Sequence, residues 1–388
     1  MKVLFLTHSF PRYEGDAPGS FLLRLAIALR ERGVRVHVIA PAAPGVPRKD
    51  HFEGVTVERF RYAPARYETL AYTGNMAQDV ATSWTARLAL VGFFGAELAR
   101  SFRTRGDFDP DVIHAHWWFP SGLVAAWLSS LLRRPLVTTL HGTDLRLAKS
   151  IPASRPLFRY VMRNSAHVTA VSTWLAAEVT ALDRRVTPEV APMPVATEKF
   201  APGTARENNR LLFAGRLNSQ KGLHHLLHGL AAAKTVAHLD VVGEGSAGDE
   251  LRALASTLGV ADRVTWHGQL DQQSLVRHYQ RATALVVPST DEGLGLVAAE
   301  ALLCETPVIA FRSGGLVDVV QHDRTGILVN PGDTSQMAAA IDSVVADPAH
   351  MQALARAGRI YVHSAFSPAS AATRYLDIYK GLPGMRAA

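Results

Sequence analysis

Val286-Val287-Pro288-Ser289-Thr290-Asp291-Glu292-Gly293-Leu294-Gly295-Leu296-Val297-Ala298-Ala299-Glu300 reads as a strand end, a glycine-rich turn and an apolar helix in immediate succession. A strand that hands its chain straight to a helix N-terminus is the repeating step of a parallel α/β sheet. Two carboxylates, Glu292 and Glu300, stand eight positions apart on either side of the turn. Upstream, a second strand end carries Gly215-Arg216-Leu217-Asn218-Ser219-Gln220-Lys221-Gly222. A helix N-terminus, two cations and two acids are the fittings that hold a nucleoside diphosphate bearing a sugar.

The same step recurs outward from this stretch. The chain opens with the strand Lys2-Val3-Leu4-Phe5-Leu6-Thr7, a Pro- and Gly-containing loop over 10–19, and a helix over 20–32 that Gly33 stops. The strand 34–40 follows, which completes a βαβ unit. Further strands fall at 112–114, 136–139 and 168–171. The pattern lapses in the Pro-rich stretch 188–202, then restarts at Leu211-Leu212-Phe213-Ala214. Strands at 239–242, 264–266, 284–287, 307–311 and 326–329 complete the second half, and from Thr334 onward the chain reads as helix. Two doubly wound α/β domains in tandem are the economical fold. Ligands in such sheets bind beyond the carboxyl ends of the strands, so two facing domains put the site in the cleft between them.

Composition narrows the classes. With 388 residues, 48% of them apolar and 19% charged, the chain fits a soluble protein of two domains, each under about 200 residues. A single cysteine, Cys304 in an apolar run, rules out a disulfide framework, and no Cys/His spacing suggests structural zinc. The expected compartment is therefore cytoplasmic. No apolar run approaches the roughly 20 residues of a spanning helix. The formal charge of +7 is unevenly placed: residues 1–200 hold 25 Lys and Arg against 17 Asp and Glu, while residues 201–388 hold 16 against 17. That excess suggests an anionic partner for the first half, a phospholipid surface or a lipid-linked phosphate; a solvated Arg-rich surface is the plain alternative. Nucleic acid is not expected, because no basic motif interleaved with aromatics is present. The apolar helices over 88–102 and 123–132, followed by arginines, read either as core helices with charged ends or as a membrane rest.

Each candidate residue has a bland reading beside its chemical one. The helix behind Gly293 and Gly295 offers free N–H groups to a phosphate, with Glu292 placed for sugar hydroxyls and Glu300 for a ribose; alternatively, the acids are a solvated pair. Arg216 and Lys221 flank a strand-end loop and together neutralise a departing diphosphate; alone, they are surface charge. His141, in Leu140-His141-Gly142-Thr143-Asp144, either donates to a sugar oxygen or caps the next helix. His114-Ala115-His116 lacks a third ligand and reads as wall or core. A glycosidase needs its two carboxylates across one sugar ring, which Glu300, inside a helix, does not offer. A dinucleotide dehydrogenase is disfavoured because no G-x-G-x-x-G follows the first strand of either half.

At these residues the chain resembles the retaining nucleotide-sugar glycosyltransferases of family 4, which adopt the GT-B fold. The resemblance spans nearly the full length. In the first half it is carried by Phe10-Pro11 and its loop, Leu29-Arg30-Glu31-Arg32-Gly33, His114-Ala115-His116 and the 140–144 segment. In the second half it is carried by Gly215-Arg216 with Lys221-Gly222, Val242-Gly243-Glu244-Gly245, His267-Gly268, the glutamate pair, Gly314-Gly315 and Gly326-Ile327-Leu328-Val329. Asp16-Ala17 stand where many relatives have paired glycines, with Gly15 and Gly19 nearby.

The resemblance implies roles. Arg216 and Lys221 clamp the donor diphosphate, and Glu292 with the backbone of Gly293, Leu294, Gly295, Leu296 and Val297 holds sugar and phosphate. Glu300 binds ribose, and Gly215, Gly243, Glu244, Gly268, Gln269 and Leu270 frame the nucleotide. Gly15 and Gly19 meet the donor from the first loop. His141 joins Arg216, Lys221 and Glu292 in the catalytic set. No metal or cofactor is implied beyond the nucleotide-sugar co-substrate, and the sugar is transferred with retention to a glycan or lipid-linked acceptor. The implied domains are an acceptor-binding 1–198, a donor-binding 205–366 and a crossover helix in 367–388 that returns to the first. An epimerase of the same architecture and a non-catalytic nucleotide-sugar-binding protein are the alternatives.

Overall fold

A computed structural model of the protein describes residues 1–72, 76–204 and 206–384. Residues 205 and 385–388, at the edges of the expected domains, lie outside them. The chain divides into two compact units, Met1–Pro194 with the chain from Pro368 onward, and Val195–Ser367.

The first unit is built on an eight-stranded sheet. Its strands are β1 (Lys2–Leu6), β2 (Arg35–Pro41), β3 (Lys49–Phe52), β4 (Val55–Phe60), β5 (Val112–His116), β6 (Leu136–Leu140), β7 (His167–Ala170) and β8 (Glu189–Val190), in the order β3-β4-β2-β1-β5-β6-β7-β8. All neighbours are parallel except β3 and β4. Val3, Leu4, Phe5 and Leu6 are wholly buried, as expected of a parallel strand covered on both faces. The β3–β4 hairpin was not legible in the sequence. Lys49-Asp50-His51-Phe52 has no apolar alternation, and its turn rests on Glu53 and Gly54, both at positive φ.

The second unit holds a six-stranded sheet, all parallel. Its strands are β9 (Arg210–Ala214), β10 (His238–Val242), β11 (Val264–Gly268), β12 (Ala284–Val287), β13 (Val308–Phe311) and β14 (Ile327–Val329), ordered β11-β10-β9-β12-β13-β14. Leu211, Phe213, Val241, Val286 and Ile309 join one buried core with Leu226, Leu230 and Ile341. Chain order runs outward in one direction from β9 through β10 to β11, and in the other from β12. The topological switch point, where doubly wound sheets bind ligands, therefore lies between β9 and β12.

The helix Pro368–Lys380 returns to the first unit and packs on the helix Ser20–Glu31. Two buried tyrosines fasten it. Tyr379 pairs through its hydroxyl with His114 Nδ1 at 2.7 Å, and Tyr375 with Thr139 Oγ1 at 3.1 Å. His114 Nε2 meets the same threonine at 2.7 Å, so both ring nitrogens are satisfied and His114 is a core residue. Burial pushes its pKa down to about 3.

The helix Trp84–Phe108 covers the same sheet, with Ala86, Ala89 and Phe93 in the core. Glu97 shares that inner face and is wholly buried. Burial raises its carboxyl to about 8, against a smaller opposing pull from the Ser121 hydroxyl. The folded chain thus holds this proton up to about pH 8, whereas the unfolded chain releases it near 4.5. Between those values the unfolded state binds fewer protons, and stability falls as pH rises. Glu97→Gln removes the dependence. Its unfolding free energy relative to wild type is expected to gain about 1.4 kcal/mol per pH unit across that window, as measured by urea unfolding at a series of pH values.

Candidate functional site

The rim of the second sheet is a set of strand-end loops laced together through their backbones. Gly215, after β9, donates its N–H to Val242 O at 3.0 Å, and Leu217 donates to Glu244 O at 3.0 Å. Gly243, after β10, donates to Gly268 O at the end of β11 at 2.8 Å. Across the switch point, Thr290 N–H donates to Gln220 O at 2.9 Å, and Gly315, after β13, donates to Glu292 O at 2.7 Å. The loops after β9, β10, β11, β12 and β13 therefore form one continuous edge.

The charged groups gather where β9 and β12 meet. Lys221 Nζ donates to Glu292 Oε2 at 2.6 Å, with both side chains half-buried, so the cation of one loop and the acid of the next are joined across the switch point. Arg216, two residues after β9, is exposed and has no ion-pair partner among the described residues. Gly295, at φ 87°, begins the helix Leu296–Leu303, and no side chain caps it. Its first N–H groups and its dipole point into the loop that carries Glu292 and Gly293. Leu294 turns inward and is buried, so that residue offers backbone alone. Gly314 and Gly315 lie flat against this loop. A Cβ on Gly314 would stand 2.4 Å from Glu292 O, and one on Gly315 2.3 Å from Gly293 O.

Glu300 follows in the second turn. Tyr279, buried in the helix Gln272–Arg281, donates its hydroxyl to Glu300 Oε2 at 3.0 Å. Burial, followed by the Glu300 charge, pushes the Tyr279 hydroxyl well above its ordinary pKa, so it stays a donor. At the far side of the rim, Gln269 and Glu244 are exposed and Leu270 is half-buried. Tyr279 was invisible to sequence reasoning because it sits on a helix distant from every motif. If it aims the carboxylate, Tyr279→Phe is expected to weaken the apparent donor KM by about tenfold with little change in kcat, the loss of one hydrogen bond to a charged group. Steady-state kinetics with varied donor check it.

In the first unit, His141 begins the loop after β6. Its ring stacks on Trp117 at 4.2 Å and lies 5.3 Å from Phe21. Its Nε2 is 3.3 Å from Nδ1 of the buried His116. Burial drives both imidazoles well below their ordinary pKa, so His141 is a neutral ring. The side chain that organises the loop is Asp144. It accepts from the N–H groups of Gly142 at 2.9 Å, Leu145 at 3.0 Å, and His141 and Trp118 at 3.3 Å each. Asp144 thus does the capping that His141 alternatively offered. Burial raises its carboxyl to about 6 against the pull of those amides. Of the first-loop glycines, Gly15 is open on all sides and Gly19 lies against Ser9 O. Asp16 draws in Arg12, which donates to both of its oxygens at 2.7 and 2.9 Å.

Comparison with known proteins fits both units. Residues 17–195 match the family described as "Glycosyl transferase 4-like domain", and residues 195–361 match "Glycosyl transferases group 1". The D-inositol 3-phosphate glycosyltransferase of Xylanimonas cellulosilytica is 32% identical over 94% of this chain and 92% of its own length. The chain belongs to the group 1 glycosyltransferases. Glycogen synthase of Mycobacterium tuberculosis is 28% identical over 98% of this chain and 94% of its own. Among solved structures, Anabaena HepE in complex with UDP-glucose superposes with a TM-score of 0.71 at 21% identity, covering 98% of this chain and 100% of that one, a likeness of GT-B fold. This group 1 glycosyltransferase is accordingly an enzyme that moves a sugar from a nucleotide-sugar donor.

One group of side chains in the glycosyltransferase has metal-ligating atoms close together among the described residues. Asp240, His267 and His278 lie within 4.8 Å of one another. Arg210, however, donates to both Asp240 oxygens, at 2.6 and 2.9 Å, and His267 Nε2 sits 2.7 Å from one of them. A divalent ion would share its carboxylate with a guanidinium, at a Coulombic cost. The cluster reads as a charge-balanced brace across β9, β10 and β11.

Proposed function

We propose that the protein is a retaining glycosyltransferase whose donor lies on the second unit. In this reading its base is framed by the loops after β10 and β11, and its diphosphate lies at the β9–β12 switch point. The observation that supports this best is the joining of Lys221 to Glu292 across that point, before an uncapped helix N-terminus, with the exposed Arg216 on the same loop as Lys221. Arg216 and Lys221 take up the charge that grows on the departing diphosphate. Pre-positioned cations of this kind lower such a barrier without a bound metal. Glu292, held by Lys221, accepts from the sugar hydroxyls, and Glu300, aimed by Tyr279, accepts from the ribose. His141, a neutral ring, is the hydrogen-bond donor that the first unit contributes to the catalytic set. The bond between the anomeric carbon and the β-phosphate oxygen breaks, the acceptor oxygen bonds to that carbon on the same face, and the acceptor proton passes to the departing phosphate oxygen.

The acceptor is proposed to be a glycan or a lipid-linked sugar of cell-envelope synthesis, met at the cytoplasmic face of a membrane. The basic excess of the first 200 residues supports that, and no helix among the described residues is long and apolar enough to cross a membrane. The relative complexed with UDP-glucose favours a uridine donor. Thermal-shift screening against UDP-, GDP-, ADP- and dTDP-sugars, followed by proton NMR of turnover, tests the proposal. A matching donor at 100 times its dissociation constant stabilises by about 2.7 kcal/mol. Transfer or slow donor hydrolysis should give the α-anomer from an α-linked donor. Release of the β-anomer first would overturn retention.

A further inference from the structure

The helix Trp84–Phe108 is apolar on two faces. Its inner face belongs to the core. Its outer face carries Trp84, Leu88 and Val91, exposed by 69, 60 and 68%, and continues through Gly95 to Phe102. The first four positions recur every three or four residues, Phe102 follows two turns later, and together they form one straight stripe with no charge on it. The adjacent helix Leu123–Leu132 extends the surface with exposed Trp127 and Leu131, and the two meet through the Phe94 and Trp127 rings at 5.9 Å. A surface helix of a protein that stays in water carries polar residues outward, so this face is built to be covered.

The rim says by what. Arg87 and Arg105 stand on one flank of the stripe, Arg103 on the other and Arg133 at the end of the second helix, all exposed. The exposed acid of the long helix, Asp107, lies in its last turn. An apolar strip with tryptophans, edged by arginines, matches an anionic bilayer, where the strip enters the acyl boundary and the arginines meet phosphate. We propose that the helices Trp84–Phe108 and Leu123–Leu132 form the surface by which the enzyme docks on anionic lipid. This deepens the membrane reading above and is independent of the donor assignment.

Co-sedimentation of the full-length protein with vesicles of phosphatidylcholine, alone or mixed with phosphatidylglycerol, tests it. The expected result is partition into the mixed vesicles, weakened by salt, with a blue shift of tryptophan emission. Leu88→Glu/Val91→Glu should abolish partition. Arg103→Glu/Arg105→Glu, which leaves the stripe intact, should lower it by about 30-fold or more, at about 1 kcal/mol for each arginine lost. Both variants should melt as the wild type does and keep its donor hydrolysis. Equal binding to pure phosphatidylcholine, no binding to either vesicle, or unchanged partition in the charge variant would overturn the proposal. So would a wild-type dimer that Leu88→Glu/Val91→Glu converts to monomer, because the stripe would then be a self-association face.

Discussion

Lys221→Ala is expected to lower kcat/KM by about 10²–10³-fold, the loss seen when one pre-positioned donor to a developing negative charge is removed. The fall should lie mainly in kcat, because the negative charge on the leaving diphosphate grows as the sugar departs. Glu292→Ala should fall by a similar factor through a different interaction, the hold on the sugar hydroxyls. The two are joined at 2.6 Å, so the double variant should cost less than the product of the single losses. Stability should hardly move, since a half-buried ion pair of this kind is worth about 1 kcal/mol or less. Initial rates of nucleoside diphosphate release, with circular dichroism melts of the same preparations, separate lost chemistry from lost fold.

Gly314→Ala should be nearly as damaging to donor use while touching no ligand. Its φ of 58° is strained for alanine, and the added Cβ would fall 2.4 Å from Glu292 O and 2.6 Å from Glu292 N, backbone atoms that cannot swing aside. The loop after β12 must then shift, carrying Glu292 away from Lys221 and tilting the helix N-terminus at Gly295. A displacement of about 1 Å at a positioned group costs on the order of 10²-fold in rate. The melting temperature should also drop by several degrees, which distinguishes this variant from Lys221→Ala. Wild-type rates in Gly314→Ala would show that the loop's position is not what holds the donor.

Much of this was legible in the chain because parallel strands buried on both faces announce themselves as short apolar runs. β1, β9 and β12 could each be read that way, as could the motif at each carboxyl end. The return of the last helix was legible through its resemblance to the family's crossover segment. The hidden parts are those set by tertiary packing. β3 and β4 form on mixed residues because β2 offers β4 an edge. Tyr279 reaches Glu300 only because two helices separated in the chain lie side by side. The motif alone gives Asp144 no role, since its four amide partners exist only once the loop after β6 has closed. The outer stripe of Trp84–Phe108 was ambiguous for a related reason: apolar residues on both faces of a helix look like core until the neighbours are known.

The central claim is that Arg216 and Lys221 hold a nucleoside diphosphate at the β9–β12 switch point. Calorimetric titration of UDP, ADP, GDP and dTDP into the wild type and into Arg216→Ala/Lys221→Ala tests it most directly. The expected result is that at least one diphosphate binds the wild type and is lost from the double variant, while Arg103→Glu/Arg105→Glu binds it unchanged. Binding of that diphosphate by the double variant with wild-type affinity, or binding of none by the wild type, would contradict the claim.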